Sequence, residues 1–318
     1  MIVTVTLNAA FARTITVPNF QRGQRHRASA GLPLAGGKGI NVARALKALD
    51  VPVVATGLAG GQAGLRIVER LTGEAILNDF VRIEDESRTT TAVVDPTNSS
   101  YTEINEWGPL VKPDELELFD AKLRYLSQAA SLVVFAGSLP RDVPDDFYAE
   151  VIRDLSRRQI PSALDCEGEA LRVGLEAEPF LVSPNQAEAE SLVGQEFHDD
   201  EDFLLALDGI ADRGARNVLI TTETGCYALL REDRTVHRYR VEAPRLEPVS
   251  RVGAGDTMLA GFVAAWEAGR GHEQMLREAV AAGAASVLML GAGHFDPREA
   301  HRLQAGVTVT ELTEVAAL

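Results

Sequence analysis

The chain has 318 residues, of which 31 are lysine or arginine and 46 aspartate or glutamate, giving a net charge of −15. With 46% hydrophobic and 24% charged residues it has the composition of an ordinary globular protein, which excludes disorder and fibrous repeats. So acidic a chain is repelled by nucleic acid and by anionic membranes, and neither is expected as a partner. The two cysteines, Cys166 and Cys226, form neither a disulfide framework nor a CxxC pair, so a reduced, cytoplasmic setting is expected. The six histidines show no ligand spacing.

In chain order, Met1 to Leu7 is apolar, lacks a basic leader and reads as a first strand. Val53 to Thr56 is a short β-branched run followed by a helical stretch, Gly64 to Leu71. Leu132 to Phe135 precedes a helix over Asp145 to Arg157, and Ser162 to Asp165 precedes one over Glu167 to Leu175. The same rhythm places Leu181 to Ser183 before Ala187 to Val193. Val218 to Thr221 leads into a hairpin-like pair, Tyr227 to Leu230 and Thr235 to Val241. Two strong helical patterns close the chain, Ala254 to Ala268 and Glu273 to Leu290. Strands alternating with helices imply βαβ units and a mostly parallel sheet covered on both faces. Ligands of such folds sit beyond the carboxyl ends of the strands. Residues 11–34 and 79–105 break the rhythm, alternate instead, and read as a small antiparallel sheet inserted into the α/β body.

Four motifs could carry chemistry. The run Ala35-Gly36-Gly37-Lys38-Gly39-Ile40-Asn41 opens a helix with glycines, a cation and a carboxamide. It suits close approach to an anionic ligand and equally a tight strand-to-helix turn. The run Val252-Gly253-Ala254-Gly255-Asp256 starts an apolar helix, so free N–H groups form an anion nest beside one carboxylate. That pairing fits phosphoryl transfer, with Asp256 taking the proton of an attacking hydroxyl, and also fits an aspartate stabilising a helix dipole. In Ser183-Pro184-Asn185-Gln186-Ala187-Glu188 the amide and carboxylate are three apart at a helix start, a spacing that suits hydrated Mg²⁺ or a capping box. Asp165, ending a buried strand, is a further carboxylate. Finally, Arg25, Arg27 and Arg88 in the inserted segments, with Ser138 in a small turn, could hold a phosphate; solvated surface arginine is the plainer reading of each.

Taken together and in order, AGGKGINVAR, TEINEWGP, AGSLP, LDCEGEAL, SPNQAEAE and VGAGDTMLAGF resemble the PfkB (ribokinase-like) carbohydrate kinases along the whole chain. Within them the sequence is similar to the branch containing 1-phosphofructokinase, tagatose-6-phosphate kinase and the minor 6-phosphofructokinase. The resemblance implies a single domain over 1–318 with a three-layer α/β/α ribokinase-like fold, a mostly parallel central sheet and a small β lid that forms a homodimer interface. It also implies phosphorylation of a sugar phosphate by ATP with Mg²⁺. By the same resemblance Asp256 is the base and Gly253, Ala254 and Gly255 the anion hole. Asn185, Glu188 and Asp165 take the metal, and Gly37, Lys38 and Asn41 the sugar. Arg88, Ser138, Arg25 and Arg27 hold the substrate's own phosphate, while Asn185, Thr222, Gly225 and Gly283 meet ATP.

The chain departs from the family in three places. Ala12 replaces an aspartate that accepts hydrogen bonds from sugar hydroxyls, Thr221-Thr222-Glu223-Thr224-Gly225 is one residue short of S-x-G-x-x-G, and Ala9 replaces a proline. These departures keep two other readings open: a kinase of an unphosphorylated sugar or nucleoside, and an impaired sugar-phosphate-binding protein. A nicotinamide dehydrogenase is disfavoured, because no strand–GxGxxG–helix unit is present.

Overall fold

The computed structural model describes residues 1–98 and 100–312. Fourteen strands alternate with ten α-helices among these residues. The first half contains β1 (Ile2–Thr6), β2 (Ala10–Thr16), β3 (Ala30–Gly36), α1 (Lys38–Ala48), β4 (Val53–Gly60), α2 (Gly61–Gly73), β5 (Leu77–Ile83), β6 (Arg88–Asp95), β7 (Ser100–Asn105) and α3 (Pro113–Leu126). There follow β8 (Leu132–Ala136), α4 (Phe147–Arg157), β9 (Ser162–Asp165), α5 (Gly168–Leu175), β10 (Leu181–Val182), α6 (Gln186–Val193), α7 (Asp200–Asp212) and β11 (Asn217–Thr222). The chain ends with β12 (Gly225–Glu232), β13 (Thr235–Glu242), α8 (Ala254–Glu267), α9 (His272–Ser286), α10 (Pro297–Leu303) and β14 (Thr308–Leu312).

Ten strands form one sheet in the order β14-β13-β12-β11-β10-β9-β8-β1-β4-β5. The seven from β11 to β5 are parallel, and β12, β13 and β14 add an antiparallel end. All five residues of β1 and all five of β8 are buried, as strands covered on both faces must be. The two-residue side-chain period splits them between two cores. Ile2, Leu132 and Val134 pack with α1, α2, α8 and α9, whereas Val3, Val5, Val133 and Phe135 pack with α3, α4, α5 and α7. The result is the expected three-layer α/β/α body. The two cysteines are free and buried.

The second sheet differs from the sequence expectation. Its order is β3-β2-β6-β7, and the central pair β2/β6 is parallel. Each half is an antiparallel pair, as expected. The parallel seam has a topological cause: β2 and β6 follow β1 and β5, which run in the same direction in the large sheet, so both leave it the same way. Residues 79–83 belong to β5 of the large sheet rather than to this one.

Candidate active site

A cleft of about 880 Å³ lies between the two sheets. Its floor is built where the parallel strands end, from Thr6 of β1 and Asn8 just after it, Gly137 and Ser138 after β8, Asp165 of β9, Ser183 after β10 and Thr221 of β11. Its roof is one face of the small sheet. Strand register sets Leu34, Ala12, Thr90 and Asn105 in a row across the four strands, with Ala10 beside Arg88 in the adjacent row.

Two helix starts enter this cleft. At the first turn of α8, Gly253 has φ 78°, a conformation natural to glycine, and a Cβ there would stand 2.8 Å from the Ala292 Cβ. The backbone N–H groups of Gly253, Gly255 and Asp256 have no partner among the described residues, while the Ala254 N–H turns back to the Arg251 carbonyl at 3.3 Å. Three free donors therefore share the start of α8 with Asp256, which is 7% exposed. At α1, Lys38 and Asn41 project from the first turn into the same space.

Charges converge here. The Lys38 ammonium lies 2.7 Å from Asp165 Oδ1 and 3.2 Å from Glu188 Oε1. Burial alone would lower the lysine's pKa, but Asp165, Glu188 and Asp256 outweigh it and hold it above its ordinary value. Desolvation, reinforced by Asp165, pushes Asp256 up to about 7, against the opposing pull of Lys38 and Asn41. Desolvation and Asp165 also raise Glu188. Asn41 Nδ2 donates to Asp256 Oδ2 at 2.8 Å. Its own oxygen is held by Arg44, whose buried guanidinium also reaches Glu74, the Ala35 carbonyl and the Ala292 carbonyl. Arg44 thus orients the amide that orients Asp256, a role sequence reading missed. The available signal was the arginine three residues after Asn41, a spacing that puts both on one helix face.

Asn185 behaves as the capping reading foresaw. Its side-chain oxygen accepts from the Glu188 N–H at 2.9 Å, and Glu188 Oε2 accepts from the Asn185 N–H at 2.9 Å. The amide oxygen is therefore engaged, while Asp165 and Glu188 direct carboxylate oxygens at the Lys38 ammonium. On the opposite wall Arg88 is half-buried, with Nε donating to the Asn8 carbonyl at 3.2 Å; it makes no direct ion pair among the described residues, but Glu103 and Glu167 act on its charge from further off. Asn8 Nδ2 donates to Ser138 Oγ at 3.1 Å, tying this wall together; Asn8 too had no assigned role in the sequence.

Five candidates stand outside the cleft lining. Arg25 and Arg27 lie exposed on the long β2–β3 connection. Thr222 and Gly225 form the pair closing the β11/β12 hairpin, where a Cβ on Gly225 would meet the Val241 carbonyl oxygen at 1.9 Å. Gly283 is buried in α9 against Ala254 and Met258, so it supports the α8 start from behind.

Comparison with known proteins decides the family. A model of the pfkB family carbohydrate kinases matches residues 6–299. The chain belongs to the pfkB family. The pfkB kinase is 33% identical over 288 residues to a 1-phosphofructokinase of Borreliella burgdorferi, covering 91% of this chain and 92% of that protein. Its fold superposes with a TM-score of 0.88 on phosphofructokinase-2 of Escherichia coli in complex with substrates and products, at 27% identity over 96% of this chain and 98% of that one. A 1-phosphofructokinase candidate from Thermotoga maritima gives 0.88 at 26% identity, over 98% of this chain and 100% of that one. The chain is therefore a carbohydrate kinase of phosphofructokinase type, and membership implies ATP as phosphoryl donor. No described helix is long and apolar enough to cross a membrane.

Proposed function

We propose that this kinase transfers the γ-phosphoryl group of ATP to a hydroxyl of a phosphorylated ketohexose: fructose 1-phosphate, fructose 6-phosphate or tagatose 6-phosphate. The observation that carries the phosphorylated acceptor is Arg88. Its guanidinium is half-buried in the same cleft as Asp256 and makes no direct ion pair among the described residues, with Glu103 and Glu167 acting on it only from beyond contact distance. A phosphate dianion would pair with it through charge-assisted hydrogen bonds, with Ser138 adjacent. An unphosphorylated sugar would leave the guanidinium without a direct charged partner.

In the proposed reaction the acceptor hydroxyl lies between Asp256 and the γ-phosphorus. Its oxygen attacks, its proton passes to the Asp256 carboxylate, and the bond to the β-phosphate oxygen breaks to release ADP. The free N–H groups of Gly253, Gly255 and Asp256 receive charge building on the phosphoryl oxygens. Apolar burial and Asp165 supply the raised basicity, and Asn41 fixes the carboxylate's direction. The donor set also fits Mg²⁺: two carboxylates already converge on one cation, Lys38, and would hold the ion largely through water. Bound there, it would neutralise the nucleotide phosphates. Closure of the small sheet as a lid would exclude competing water. Leu32, Tyr101, Ile104 and Trp107 of that lid region are exposed, and a second copy of the chain covering them fits the proposed homodimer.

Ala12 removes a carboxylate from the roof row, but Thr90 and Asn105 in the same row still offer oxygens to sugar hydroxyls. A coupled assay of ADP release with the three sugar phosphates and with unphosphorylated fructose tests the reading. Turnover confined to sugar phosphates is expected; preference for the unphosphorylated sugar, or binding without turnover, would overturn it.

A further inference from the structure

At the antiparallel end of the large sheet, outside the cleft lining, Glu232, His237 and His272 come together. One donor atom of each lies within 4.8 Å of the donors of the other two. Glu232 ends β12, His237 pairs with Leu230 across the β12/β13 hairpin, and His272 is the first residue of α9. Thirty-five positions separate the histidines, which is why spacing along the chain gave no sign of a site.

The surroundings are those of a metal site. Each ring nitrogen Nδ1 already faces a partner: Glu311 Oε1 at 2.7 Å from His237, and the Tyr239 hydroxyl at 3.4 Å from His272. Such contacts fix ring orientation and leave Nε2 as the ligand, as carboxylate and hydroxyl neighbours do for zinc-binding histidines. Neither Nε2 has a hydrogen-bond partner among the described residues. The three side chains line a second cavity of about 690 Å³, with Phe180 and Trp266, whose rings are 5.1 Å apart, also in its wall. That volume leaves room for an ion and its water.

We propose that Glu232, His237 and His272 bind one divalent transition-metal ion of the Zn²⁺ or Co²⁺ type, with water in the fourth position. Two imidazoles and one carboxylate are a donor set such ions favour, whereas Mg²⁺ prefers all-oxygen sites like the cleft carboxylates. Bond lengths of about 2.0–2.2 Å put tetrahedral ligands ~3.3 Å apart. The three donors therefore close by at most about 1.5 Å on binding, a movement to which the exposed Glu232 contributes. The bound ion clamps the β12/β13 hairpin to the start of α9.

The test is titration of the intact protein with Co²⁺ in excess Mg²⁺, which keeps the cleft carboxylates occupied, followed by visible absorption of the Co²⁺ and by melting temperature with Zn²⁺. One Co²⁺ per chain with a tetrahedral-type spectrum, and a melting temperature raised by Zn²⁺, are expected. Both effects are lost in His237→Ala and His272→Ala, while sugar-kinase turnover is unchanged. Should a histidine variant fail to fold, the exposed Glu232→Gln decides, with Co²⁺ binding expected to weaken about 10-fold or more. No Co²⁺ uptake by the wild type, or equal uptake by the variants, would overturn the assignment.

Discussion

The floor and the roof of the cleft are built by different rules. On the floor, Lys38, Asp165, Glu188, Asn41, Arg44 and Asp256 are joined in one network of ion pairs and hydrogen bonds set on strand ends and helix starts. Each side chain there has a protein partner, so its geometry exists before any substrate arrives. On the roof, β7 is exposed along its whole length, Ala12 offers no polar group, and Arg88 has no carboxylate in direct ion-pair contact among the described residues. Under the proposed function the contrast is a division of labour: a floor preorganised for chemistry, and a roof that a ligand completes. Damage to the floor should therefore appear in kcat and damage to the roof in KM.

The largest effect expected is on the floor. Asp256→Asn should lower kcat by about 10²–10⁴-fold with little change in KM for ATP, measured by ADP release. The same change should raise stability, and the sign follows from linkage. The folded carboxyl titrates near 7 rather than its ordinary 3.8, so the folded state loses stability as pH rises between these values. The melting temperature of the variant should thus exceed that of the wild type increasingly from about pH 4 to about pH 8. A gain that is flat with pH would contradict the buried-carboxylate account.

Next in size comes the roof. Arg88→Ala removes one charged hydrogen-bonding partner and should raise KM for the sugar phosphate roughly 10–100-fold, with kcat affected far less. If kcat falls and KM holds, Arg88 belongs to the chemistry and the division fails. A smaller effect is expected of Asn41→Ala. Its amide lowers the Asp256 pKa, so its loss should move the pH midpoint of kcat upward. Smallest is Thr90→Val, which keeps the shape of the roof row and should raise sugar-phosphate KM only about 2–10-fold.

The sequence exposed the floor better than the roof for a physical reason. Glycines and prolines punctuate the turns at Gly37, Pro184 and Gly253, so the segments bearing Lys38, Glu188 and Asp256 could be placed at helix starts from local pattern alone. Strand runs such as Leu132 to Phe135 were legible because both faces are buried. The helices α3, α7 and α10 and the strand β14 were not legible; α3 buries only Phe119 and Leu123, too few to set a period. The parallel β2/β6 seam depends on where distant strands leave the sheet, which no local alternation records. Arg44 and Asn8 were silent because their contacts cross 248 and 130 positions of sequence. Arg25 and Arg27 lie on an exposed connection outside the cleft lining of their own chain, a placement that only the fold records. Asn185 matched two patterns of the same spacing, and the capping geometry is the one present.

The pH dependence of kcat, measured side by side in the wild type and Asp256→Asn with a saturating sugar phosphate, puts the central claim at most direct risk. A base titrating near 7 requires wild-type turnover to climb through about pH 7 and level off above it, with the variant slow and without that climb. A variant that retains the wild-type profile, or turns over at a comparable rate, would show that the proton leaves by another route.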